Sequence, residues 1–127
     1  MEIFLAFSDW LNGYLAQGLP AGIVALHFNL YEGTEQTYNI ELVGCGKFDA
    51  NNEDWVCNEL FTTRDNLFCI PRVGDIHQWE QGLLFATNLV KTYLNEGSYA
   101  DTLKSYRVVG IGFVDGDIEI VFPTHTA

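Results

Sequence analysis

Residues 108–122 read VVGIGFVDGDIEIVF, and they decide the class of fold. Apolar residues alternate on both sides of Asp115-Gly116, a dipeptide suited to the two-residue turn of an antiparallel hairpin. With the turn there, Phe113 is expected opposite Ile118, Ile111 opposite Ile120 and Val109 opposite Phe122, all on one face. Gly110 and Gly112 fall on the other face, where they admit a close neighbour or mark a bulge. Working backwards, residues 75–96 carry Ile76, Trp79, Leu83, Ala86, Val90 and Tyr93 at helical spacing. Asp75 with Gln78 resembles a capping box, and Gly97 supplies the stop.

Nearer the start, residues 22–31 and 37–45 alternate with a period of two. Matching their apolar faces sets Leu30 opposite Tyr38, Phe28 opposite Ile40 and Leu26 opposite Leu42. The outer face then pairs His27 with Glu41 and Asn29 with Asn39. Residues 2–17 present Ile3, Phe4, Phe7, Trp10, Leu11, Tyr14 and Leu15 on one helical face, stopped by Gly18 and Pro20. Shorter strands are expected at 57–62 and 67–70. The order α-β-β-β-(β)-α-β-β predicts an α+β fold. It consists of an antiparallel sheet of about five strands, with two helices on one face, in a single domain spanning 1–127.

Composition narrows the function. Seventeen acidic residues against six basic ones leave a formal charge of −11, and no Lys or Arg precedes Lys47. Such a field repels nucleic acid and anionic membranes and draws basic proteins. It also simply favours solubility. Cys45, Cys57 and Cys69 are odd in number and form no C-x-x-C, so buried, reduced thiols in a cytoplasmic protein are expected. The apolar N-terminus lacks the basic n-region of a signal peptide. No stretch reaches the about 18 apolar residues of a membrane span.

Candidate chemistry is sparse. His27 with Glu41 on an open sheet face would make a general base and its orienter, or equally a cross-strand surface pair. His77 and His125 have no inferred partner. No nucleophile elbow, phosphate loop or zinc ligand set occurs. The loop from Asp49 lacks the glycine and the bidentate glutamate of a calcium-binding loop. No catalytic residue, metal or cofactor is therefore assigned. The acidic loop offers a contact surface instead: Asp49, Glu53, Asp54 and Glu59 surround Phe48 and Trp55. Either Trp55 fills a pocket on a partner, or it turns inward and pins the loop. His27, Glu41, Asn29 and Asn39 form the alternative polar face.

The segments FDANNEDWVCNELFTTRDN and TYLNEGSYADTLKSYRVVGIGFVDGDIEIVF resemble small acidic bacterial proteins of the immunity type, the partners of toxins. The resemblance rests on Phe48-Asp49, Asp54-Trp55, Cys57 and the 112–117 turn. It implies a compact cytoplasmic binding protein and carries over no active-site residue; the acidity adds the expectation that the chain inhibits a basic toxin domain of the nuclease class. The other readings are a small enzyme using His27 and Glu41, and a self-associating structural subunit. The oligomeric state is left open.

Overall fold

The computed structural model describes residues 2–33 and 36–123. Helix α1 spans Glu2–Gln17 and buries Phe7, Leu11 and Leu15 along one stripe. Gly18 ends it with φ +82°, a left-handed conformation that glycine adopts without steric penalty, and its N–H donates to the Leu15 carbonyl at 3.1 Å. Strands β1 (Ala25–Glu32) and β2 (Thr37–Cys45) follow as an antiparallel pair. Then come β3 (Glu59–Thr62), β4 (Phe68–Pro71), helix α2 (Trp79–Glu96), the single turn α3 (Ala100–Leu103), and strands β5 (Val108–Phe113) and β6 (Glu119–Phe122).

The fold is α+β, as expected, with six strands in one sheet of order β3-β2-β1-β5-β6. β4 lies in line with β3, and both pair with β2: β3 at Val43–Cys45 and β4 at Thr37–Ile40. The sheet is mostly antiparallel, but β1 and β5 run parallel, from Ala25 opposite Val108 to Leu30 opposite Phe113. The β1–β2 and β5–β6 pairs are local hairpins, and β3 and β4 both return antiparallel to β2. The β1–β5 pair instead needs the whole excursion through α2, because a parallel neighbour requires a crossover.

Three local expectations are corrected. The β1–β2 register is displaced by two residues, placing Leu30 opposite Ile40 and Phe28 opposite Leu42. A shift of two preserves which side chains share a face, so alternation does not discriminate between the two registers. The β5–β6 connection is longer than two residues. Val109 does face Phe122, but a bulge after Val109 sets Gly110 opposite Ile120 and Ile111 opposite Glu119. That extra residue turns Ile118 and Ile120 to the opposite side of the sheet. Lastly, α2 begins at Trp79. Gln78 and Gln81 form its capping box reciprocally, whereas Asp75 lies in a separate 3-10 turn, Gly74–Ile76. Gly97 closes the far end, its N–H donating to the Tyr93 carbonyl at 2.7 Å.

The helices cover one face. Phe7 and Leu11 of α1 and Ala86, Val90 and Tyr93 of α2 pack on Leu26, Phe28, Leu30, Tyr38, Ile40, Leu42, Val109 and Ile111. Gly82 lets α2 approach closely, since a Cβ there would lie 2.4 Å from the Tyr38 ring. The opposite face carries a second, smaller core of Ala25, Val43, Cys45, Trp55 and Val108.

Candidate functional site

Residues 46–58 form that second cover. The excursion is closed at its neck, where the Gly46 N–H donates to the Asn58 carbonyl (3.0 Å) and to Asn58 Oδ1 (3.1 Å). A Cβ on Gly46 would sit 2.6 Å from that oxygen, so glycine permits the closure. Inside the loop, Asp49 Oδ1 accepts from the Asn51 N–H (2.9 Å) and Asn52 Oδ1 from the Asp54 N–H (3.0 Å). Asn52 thereby caps the 3-10 turn Glu53–Cys57. Short polar side chains bonding their own backbone explain why this acidic stretch holds one shape.

Trp55 turns inward and is 2% exposed. Its ring meets Phe48 at 5.3 Å and the His27 imidazole at 6.0 Å, both edge-on. Arg107 lies over the outer side of Phe48, 5.3 Å from the ring centre. Of the candidate contact residues, Trp55 is thus the pin, while Asp49, Glu53, Asp54 and Glu59 all remain exposed. Glu53 Oε2 accepts from the Ile118 N–H at 3.4 Å, which draws the β5–β6 connection and its exposed Asp117 against the loop. Gly112 makes room for that connection, as a Cβ there would lie 2.2 Å from the Asp117 carbonyl oxygen. Nothing in the sequence spacing signals that Asp117 joins the acidic loop, because the bulge that brings it there is a tertiary feature.

The polar sheet face differs from expectation. His27 lies opposite Val43 rather than Glu41, and Asn29 lies opposite Glu41. His27 is 2% exposed beneath Trp55, and its Nδ1 meets no hydrogen-bonding atom among the described residues. Burial lowers its pKa to about 4, against opposing contributions from Asn29 and the Glu41 charge. A general base must reach the proton it removes and hold a pKa near the working pH. His27 offers neither, and with Val43 opposite it the cross-strand surface pair with Glu41 is not formed either.

Glu41 has its own role. At 8% exposed, it accepts from Tyr31 Oη (2.6 Å) and Asn29 Nδ2 (3.2 Å) on Oε1, and from the Thr62 hydroxyl on Oε2. Three strands therefore converge on one carboxylate, meeting the need of a buried charge for donors. Burial, then the hydrogen bond to Glu41, push the Tyr31 hydroxyl up to about 12. Asn39 borders the open recess beside Glu41, bonded to Thr37. Of these partners, Asn29 was placed on this face by strand alternation, whereas Thr62 arrives from β3 without any signal in spacing.

Cys45 is buried, its thiol directed at the Val56 carbonyl (3.6 Å), and burial first of all pushes its pKa up to about 12. Cys57 and Cys69, by contrast, are exposed free thiols, so the expected burial holds for Cys45 alone. Among the described residues, no three His, Cys, Asp or Glu side chains are grouped to hold a metal ion. No helix there is long and apolar enough to cross a membrane. His125 lies outside the described residues, as do Thr34 and Glu35 of the β1–β2 connection. No family model, curated protein or solved structure matches this chain.

Proposed function

We propose that this chain is a non-enzymatic acidic binding protein. In its most specific form it is an immunity-type inhibitor that occupies the basic surface of a toxin domain. One observation carries the reading: the 46–58 cover turns its aromatic residue inward and its carboxylates outward on a frame pinned at Trp55 and closed at Gly46 and Asn58. A preshaped loop loses little freedom on binding. Carboxylates displayed on it steer a cationic partner into contact, and enzymes that hold nucleic-acid phosphates present such cationic surfaces. The charge of −11 extends that attraction beyond the loop.

The test is to isolate the partner from the source cell and measure the affinity of the purified pair. The partner is expected to be basic. Binding should weaken at least about tenfold between roughly 0.05 and 0.5 M NaCl as screening shortens the field. The triple change Asp49→Asn, Glu53→Gln, Asp54→Asn should weaken it by a further factor of about ten. A complex indifferent to both salt and the triple change would overturn the reading.

A further inference from the structure

A second surface, remote in sequence from the acidic loop, sets an exposed indole beside carboxylates. Its chemistry already appears once inside the molecule. The Arg72 guanidinium lies 4.5 Å above the centre of the Tyr38 ring and pairs with Glu32 Oε1 at 3.1 Å. Tyr38 meets Phe113 edge-on at 6.1 Å, and Phe113 meets Trp79 in the same way at 6.1 Å. The row of three rings thus carries an arginine at one end. At the other end Trp79 is 51% exposed, more open than the high average burial of tryptophan.

Beside Trp79 is an open recess of about 300 Å³, lined by Trp79, Phe113, Gly116 and the carboxylate-bearing Glu32 and Asp115. That volume is at the lower bound of small-molecule pockets, which run from roughly 300 to 1,000 Å³, and it suits one protruding side chain. An aromatic wall between carboxylates favours a cation. A planar, weakly hydrated guanidinium stacks on indole better than a compact ammonium. We propose that this recess receives an arginine side chain of a basic protein partner, its guanidinium stacked against the Trp79 indole and paired with Asp115, while Glu32 at the rim keeps Arg72. The inference rests on the reading of the chain as a binder of basic proteins and adds a specific anchoring point to it.

Two charge-matched hexapeptides, one rich in arginine and one rich in lysine, serve as probes against ¹⁵N-labelled protein at low salt. The three tryptophan indole N–H signals report separately: Trp79 in the recess, Trp55 in the small core, and Trp10 donating to the Asn66 carbonyl at 3.0 Å. The arginine peptide is expected to shift the Trp79 signal saturably and to bind several times more tightly than the lysine peptide. Trp79→Ala should weaken it about tenfold. Asp115→Asn, a change at an exposed loop position, should weaken it to a lesser degree without touching any ring. A silent Trp79 signal, or equal affinity for both peptides and both variants, would overturn the proposal. If amides of 46–59 shift while Trp79 stays silent, the recess fails and the acidic-loop reading survives. If neither region responds to either peptide, both fail.

Discussion

The two faces of the sheet are built on different scales. On one, α1 and α2 press Phe7, Leu11, Ala86, Val90 and Tyr93 onto three strands, and the resulting core holds most of the fully buried side chains. On the other, a single thirteen-residue excursion, residues 46–58, covers the sheet around Trp55 and Cys45. The first face has regular elements with apolar periodicity. The second depends on turn chemistry and on the inward Trp55, with Phe48 packed against it. A polar, turn-rich stretch can thus supply a cover layer, smaller than the helical one, when a large side chain anchors it.

The largest expected effect separates the two layers. Phe28→Ala in the main core should cost about 4 kcal/mol and lower the whole cooperative transition. Trp55→Ala should cost about 3 kcal/mol, the lower end for an aromatic truncation, because a loop collapses into the space more readily than a helix pair. Hydrogen exchange distinguishes them further. In the Trp55 variant, protection should vanish at Gly46 and Asn58 while β1 and β2 keep theirs. Global loss of protection in both variants would break the distinction between the faces.

Acid acts on the small core next. The folded pKa of His27 is held down at about 4 by burial, below the ordinary 6.5 of the unfolded chain. The folded state therefore binds fewer protons, so this contribution is fully present above pH 6.5 and is lost progressively as pH falls towards 4. The shift corresponds to about 3 kcal/mol at most. Urea midpoints measured from pH 7 to 4 should fall more steeply for the natural chain than for His27→Leu. Parallel curves would show that His27 gains its proton without disturbing the cover. The smallest of the three effects concerns the clamp on Glu41. Thr62→Val removes one donor and should cost about 1–2 kcal/mol by chemical denaturation, with α1 and α2 unaffected.

The helix face was legible because its signals are local. Helix α1, the ends of β2 and the stop at Gly97 all follow from periodicity and glycine placement. The parallel β1–β5 pair was not, since a match between residues 25–30 and 108–113 leaves no trace in either segment's own pattern. The bulge after Val109 was hidden for a related reason. Asp115-Gly116 satisfies a tight turn on its own, and only the packing of Ile118 and Ile120 against the small core favours the longer path. At the candidate site, the exposure of Asp49, Glu53, Asp54 and Glu59 agrees with their charge. The direction of Trp55 was undetermined, because its polar neighbours Glu53, Asp54 and Asn58 argue for the surface and Val56 argues for the interior.

The strand lengths have a consequence for behaviour at high concentration. The long strands, β1 with eight residues and β2 with nine, both lie inside the sheet. One border is β6, four residues with Glu119 at its start and Pro123 just beyond its end. The other is divided between β3 and β4, four residues each, and the residues between them fold back so that Thr63 satisfies the Leu42 backbone from both sides. Neither border offers a foreign strand a long ladder of free amides and carbonyls. A chain this rich in aromatic and β-branched residues thus presents only short, interrupted edges on which another strand could build.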